Sequence, residues 1–428
     1  MALTLLLCGF GALLLLGVPV AYSFLAASLA YLVVADTPLA IAAQQLSGGV
    51  RGYTLLAIPL YILAGELMNT GGITQRIFDF ANALVGHIRG GLGHVNVLAS
   101  MIFSGMSGSS SADAAGLGRV EIQAMNERGY RPEFAAAITA VSSTIGPIIP
   151  PSIHLVLFGA MAEVGIDALF LAGIVPGVIM GLCLMAAIYL QVVTGRERCP
   201  TDPWPGVRLV AHAFWRGVLP LSAPVIIVGG ILTGIFTPTE AGAVAVLYAL
   251  LLGSLYREFT WAGLRDAMLR SIRSTVVVMF ILGTAKVFAW GITVEKVPEI
   301  ISAALFGLSS EPAVVLLLIL VALLILGTFE SATANLVIVT PILVPMAPAL
   351  GLDIVHFGVV IVLALMIGII TPPVGMSLYI VADITKIPFE RVTRAVFPYL
   401  VALIVALLLV AYLPDAVMFI PRLYGYAS

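Results

Sequence analysis

Two stretches of the chain carry hydroxyl groups, small residues and prolines in the same order. Gly105-Met-Ser-Gly-Ser-Ser-Ser-Ala-Asp113 is followed by Gly146-Pro-Ile-Ile-Pro-Pro151, and Gly327-Thr-Phe-Glu-Ser-Ala-Thr-Ala-Asn335 is followed by Gly368-Ile-Ile-Thr-Pro-Pro373. At a fixed offset of 222 residues, Ser109 meets Ser331, Ser111 meets Thr333, Asp113 meets Asn335 and the two Pro-Pro pairs coincide. The chemistry open to such groups is ion coordination and anion binding. A proline within a helix removes a donor and frees a carbonyl one turn earlier, leaving oxygens suited to a hard cation. Hydroxyls at Ser107, Ser109, Thr328 and Ser331 are placed to complete such shells. The amide ends of half-helices carry partial positive charge and suit an anionic group. A hydroxyl-rich tip facing a broken helix, twice over, predicts two cation sites around one anion site. For any single hydroxyl, a cap or a bond to the preceding carbonyl is an equally good explanation, and the duplication is what favours the set. Asp113 reads first as the acidic member of a capping box opened by Ser110, since its counterpart Asn335 is neutral.

The elements that must position these groups lie in a membrane. Of 428 residues, 61% are apolar and 10% charged, which marks a polytopic membrane protein. The longest polar interval, roughly Thr194 to Trp215, is too short for a soluble domain. The 20 basic and 22 acidic residues nearly cancel, and nothing points to nucleic acid. Cys8, Cys183 and Cys199 have no metal-like spacing and read as packing residues. The first apolar run, which continues to about Val34, reads as structural helix rather than a removed signal.

Apolar segments near 3–17, 19–34, 55–69, 133–164, 168–194, 217–233, 237–256, 275–293, 355–383 and 391–413 predict about ten crossings. Two further stretches, near 91–127 and 312–349, hold the hydroxyl-rich interruptions and read as re-entrant hairpins. Basic residues concentrate in cytoplasmic loops. His87, Arg89, Arg119, Arg128 and Arg131 flank the first interruption, whereas Glu295, Lys296, Glu299, Glu311 and Asp353 flank the second. The two are therefore expected to open to opposite sides, the first to the cytoplasm, with both chain termini periplasmic. An odd number of crossings plus one hairpin per copy makes this an all-α inverted-topology repeat. Residues 1–195 form the first copy, 196–216 a cytoplasmic linker and 217–428 the second copy. Surface-lying arm helices are expected near 37–52 and 258–273, and broken helices at 133–164 and 355–383.

Ionisable residues within apolar runs are costly and are suspects for function. They are Glu66, His154, Glu240, Lys286, Glu330 and Asp383. Glu66, Lys286 and Asp383 are expected in internal ion pairs, Glu240 as a helix-start cap, and His154 either as a protonatable group near the cavity or as a satisfied buried histidine.

The runs Ile58-Pro-Leu-Tyr-Ile-Leu-Ala-Gly-Glu-Leu-Met68, Ser107-Gly-Ser-Ser-Ser-Ala-Asp113, Ser143-Thr-Ile-Gly-Pro-Ile-Ile-Pro-Pro-Ser-Ile153, Gly234-Ile-Phe-Thr-Pro-Thr-Glu-Ala241 and Thr371-Pro-Pro-Val-Gly375 closely resemble the large membrane subunit of tripartite ATP-independent periplasmic (TRAP) transporters. The likeness runs the length of the chain. It implies a sodium-driven importer of organic acids such as dicarboxylates or sialic acids, with no other cofactor. It also implies a small membrane subunit and a periplasmic substrate-binding protein as partners, and an inner-membrane location. The family's fold pairs a scaffold with a mobile, elevator-type transport domain that carries both hairpins.

Carried onto these residues, the resemblance places one sodium site at Ser107, Gly108, Gly146 and Pro150 and another at Gly327, Thr328, Ser331, Gly368 and Thr371, with many ligands being backbone carbonyls. Substrate contacts are expected at Ser109, Ser110, Pro151, Ser152, His154, Ser331, Ala332, Pro373 and Ser377. Glu330 and Ser377 depart from the Asp and Asn that many members carry. A self-sufficient divalent-anion symporter is the alternative within transport. An intramembrane enzyme is weak because no nucleophile–base pair or metal-ligand spacing appears, and a passive channel fits opposed hairpins poorly.

Overall fold

Glycine and proline set the helix boundaries from the first turn onward. Val20–Val34 begins after Gly17-Val-Pro19, and proline opens Pro132–Ser142, Pro312–Phe329 and Pro414–Leu423, where its missing donor costs nothing. Pro238–Leu255 starts with a capping box. Thr237 accepts from the Glu240 amide, and the Glu240 carboxylate accepts from the Thr237 amide at 2.8 Å, the role expected for Glu240. The computed structural model describes residues 2–426, which are helical without a strand.

Among the described residues, six helices are long and apolar enough to cross a bilayer unaided, or seven if the bent pair Ala40–Gly48 and Tyr53–Thr70 counts as one span. About ten crossings were expected from apolar segments, and the difference lies in broken and short helices. The segment 133–164 is two helices, Pro132–Ser142 and Ile153–Ala162, and 355–383 is likewise Ile354–Gly368 and Met376–Thr385. Ala2–Leu15 and Val20–Val34 have 14 and 15 residues, fewer than the ~20 a straight span needs. Trp261–Val294 runs unbroken for 34 residues, roughly 50 Å at 1.5 Å per residue, so Thr260–Arg273 continues directly into a crossing. The first arm region differs, because Ala40–Gly48 meets the next helix at 58°.

Two sets of helices pack among themselves. Trp261–Val294 lies against Val20–Val34, Ala40–Gly48 and Ala57–Thr70, which in turn lies on Pro238–Leu255. Ile166–Val193, Pro132–Ser142 and Ile354–Gly368 gather around Phe389–Tyr412. Within this second set, every residue from Val355 to Gly368 is buried. Leu182, Leu190, Leu247, Leu251, Val276 and Val277 stay exposed, as lipid-facing side chains should. Because lipid removes most of the hydrophobic drive for helix association, close packing through small residues carries more of the load. Ile153–Ala162 and Ala332–Leu343, one from each half of the sequence, pack on each other, and the latter also rests on the 34-residue helix.

Candidate functional site

Helix Leu92–Ser107 ends at Gly108, whose φ of 59° is left-handed, and the chain resumes as helix at Ser110. Only glycine serves there. A Cβ would stand 2.6 Å from the Pro151 carbonyl oxygen, so the tip packs backbone to backbone on the break in the following helix. Ser107 is buried, and its hydroxyl donates to Asp113 Oδ1. Asp113 Oδ2 is buried without a partner and lies so close to Gly146 that no side chain fits at that position. The expected capping box is absent. Ser109 is the cap residue rather than Ser110, and no side-chain cap bond forms, which leaves Asp113 one position beyond the reach of such a bond. Instead the carboxyl group accepts from Ser107 within the tip and lies against Gly146.

The break itself runs from Gly146 to Ser152. Ser152 accepts from the Leu155 amide at 3.2 Å to start Ile153–Ala162, and its hydroxyl donates to the Pro147 carbonyl. The Pro150–Pro151 and Pro372–Pro373 bonds are both cis.

The second tip repeats the arrangement with different polar groups. Gly327 packs on Gly368, where a Cβ on Gly327 would stand 2.8 Å from the Gly368 Cα. Ser331 accepts from the Ala334 amide at 3.3 Å and starts the next helix. Thr328 and Thr371 each donate 2.8 Å back-bonds, to the carbonyls of Ile325 and Ile367. The Thr328 carbonyl accepts from the Gly375 amide at 3.3 Å. Asn335 donates at 3.1 Å to the carbonyls of both Leu326 and Glu330, and its Oδ1 is left without a partner. Asp113 and Asn335 thus each hold their own tip, and each presents one unpaired buried oxygen beside it.

Each tip also meets the other half of the molecule. Ser110 is 3.2 Å from the Ser377 hydroxyl, besides 3.1 Å from that of Ser143 in its own half, while Thr333 is 3.2 Å from His154 Nε2. A cavity of about 780 Å³ opens at the Thr333–His154 contact, lined by Ser107, Ser109, Ser111, His154, Ser331 and Thr333. Ser110, Ser152, Ala332 and Ser377 are buried behind it in the supporting framework, and Pro151 is buried against Gly108. Pro373 is exposed and lies outside the cavity lining.

The same cavity is lined by Arg119, carried by the first hairpin itself, and by Arg270, Arg273 and Glu66 from the helices Trp261–Val294 and Ala57–Thr70. Arg270 pairs with Glu66 at 2.8 Å, as expected for Glu66, and Lys386 pairs with Asp383 at 2.7 Å. Three guanidiniums against one carboxylate leave the wall net positive. In the sequence these arginines read only as loop charge, and their convergence on the tips is set by tertiary packing. Lys286, expected in an ion pair, has no acid within ion-pair distance among the described residues. The arrangement can hold a carboxylate between hydroxyls and arginines, with oxygen-rich pockets at Ser107–Asp113–Gly146 and at Gly327–Thr328–Gly368.

A family model described as "Tripartite ATP-independent periplasmic transporter, DctM component" matches residues 7–416. The chain is 45% identical to the sialic acid TRAP transporter large permease protein SiaM of Vibrio cholerae, over 98% of this chain and 99% of that protein. It is 40% identical to the C4-dicarboxylate TRAP transporter large permease protein DctM of Pseudomonas aeruginosa, over 87% of each. Its fold is similar to the crystal structure of the Alcanivorax borkumensis YdaH transporter, with a TM-score of 0.64 over 87% of each chain at 14% identity.

Proposed function

The chain belongs to the family of tripartite ATP-independent periplasmic transporters as a DctM component, the large permease, and on that premise we propose that it imports an organic carboxylate by sodium-coupled, elevator-type alternating access. It is a multi-pass inner-membrane transporter subunit rather than an enzyme. The observation that carries the substrate class is the cavity at the tips, whose lining combines the hydroxyls of Ser109, Ser111, Ser331 and Thr333 with the guanidiniums of Arg119, Arg270 and Arg273. The relatives named for sialic acid and for C4-dicarboxylates both concern carboxylates.

Sodium coupling is supported by oxygen donors without a soft ligand at each tip. A hydroxyl that donates its proton, as Ser107 does to Asp113, keeps lone pairs for a cation, and the unpaired Asp113 Oδ2 is a second carboxyl oxygen free to join such a shell. Pro150 and Thr371 stand beside the two pockets, where backbone carbonyls complete the shells. An elevator is supported by the two helix sets, one holding both breaks and the other built around Trp261–Val294. The expected partners are a small membrane subunit and a periplasmic binding protein that delivers the anion.

The test is uptake into proteoliposomes containing the chain with its small subunit, using sialic acid and succinate as probes. Accumulation is expected only with an inward sodium gradient and the cognate binding protein, with no direct effect of ATP. Uptake by this chain alone, with neither partner, would identify a self-sufficient symporter instead.

A further inference from the structure

Ile153–Ala162 and Ala332–Leu343 separate two cavities. Their first turns carry His154, Ser331 and Thr333 into the cavity already described. Their far ends, at Ala160–Glu163 and Thr340–Pro345, wall a second cavity of about 590 Å³, whose opposite side is the Leu282–Thr293 part of the 34-residue helix. Lys286 lines this second cavity and is exposed. It stands eight residues before the end of its helix at Val294, roughly 12 Å along the axis. A lone ammonium at such depth is retained where it has a partner or faces water on a solute path. Lys286 has no ion-pair partner among the described residues. Glu163 lines the same cavity and lies beyond ion-pair distance. Gln45, Thr54 and Trp290 add amide, hydroxyl and indole donors around the ammonium, which is a donor set for a carboxylate.

We infer that Lys286 is a second anion-binding point, the one that meets the transported carboxylate when the tips face the other side of the membrane. This rests on the alternating-access reading above. The two separating helices have 10 and 12 residues, roughly 15–18 Å at 1.5 Å per residue. Sliding the pair by about its own length carries His154, Ser331 and Thr333 from the side of Arg270 and Arg273 to the space beside Lys286. One carboxylate is then met by arginines in one state and by a lysine in the other. The single ammonium makes no bidentate grip, which suits a point of brief capture.

The test uses the complex with its small subunit, Cys8, Cys183 and Cys199 replaced, and Lys286→Cys introduced. Uptake of the parent's substrate should fall at least ten-fold. 2-Aminoethyl methanethiosulfonate, which restores an ammonium through a mixed disulfide, should recover it, and the negatively charged sulfonatoethyl reagent should not. Substrate with sodium should also slow the labelling of the introduced thiol itself, a readout that requires binding but not turnover. A parent without uptake would count against the transport reading, and labelling protection would still decide the lysine's role. Parent-like uptake, equal recovery with both reagents, or no protection would overturn the assignment. So would restoration of Lys286→Gln by Glu163→Gln, which would make the lysine only a counter-charge, or loss confined to assembly with the small subunit.

Discussion

In the proposed sodium sites, Ser107 and Thr328 each satisfy a protein acceptor and keep lone pairs for an ion. Ser107 donates to Asp113 and Thr328 to the Ile325 carbonyl, leaving oxygen lone pairs facing the tips. Removing one neutral ligand is worth ~1 kcal/mol, so Ser107→Ala and Thr328→Ala should each raise the sodium concentration for half-maximal transport several-fold. Asp113→Asn removes a carboxyl oxygen and should shift it further, roughly ten- to a hundred-fold for ~1.5–3 kcal/mol. Ser23→Ala, in the other helix set and bonded only to the Val18 carbonyl, should leave sodium dependence unchanged. Reduced stability with normal sodium dependence would make the hydroxyls purely structural.

At this scale the polar tips are legible because hydroxyls, glycines and prolines are conspicuous in an apolar chain. The role of Asp113 is not, because a run of three serines leaves the cap ambiguous by one residue, and only the φ/ψ of Ser109 decides it. The unpaired state of Lys286 is equally hidden, because an ion pair needs a neighbour from another helix, which no local signal provides.

Among the elements, one demanding contact is Gly327 on Gly368. A methyl on Gly368 would stand 2.5 Å from the Gly327 Cα, which is backbone and cannot rotate away. Gly368→Ala should therefore push the second tip off its break and lower stability by ~1–3 kcal/mol, seen as a lower thermal midpoint and a weaker response to sodium. Gly307→Ala, with nothing within 4 Å of the added methyl, is the matched control and should be neutral or slightly stabilising. An unchanged midpoint for Gly368→Ala would mean that the tip is loosely held. The breaks are legible as elements, since Gly-Pro and Pro-Pro cannot continue a helix. The number of spans is not, because hydropathy merges two half-helices into one apolar segment and says nothing of the unbroken 34-residue helix.

For the molecule as a whole, the two cavities lie at opposite ends of a pair of helices drawn from the two halves of the chain. The fixed offset in the sequence makes the two tips and two breaks legible, whereas the packing of Ile153–Ala162 on Ala332–Leu343 and the positive lining at Arg119, Arg270 and Arg273 emerge only on folding. Alternating access through this pair is the central claim, and a cysteine at Ser111, which lines the tip cavity, tests it most directly. In a background without native cysteines, Ser111→Cys is exposed to a membrane-impermeant thiol reagent in right-side-out and in inside-out vesicles. The account predicts labelling from both sides, with sodium shifting the ratio of the two rates and substrate plus sodium slowing both. Labelling from one side only, under every combination of sodium and substrate, would contradict it.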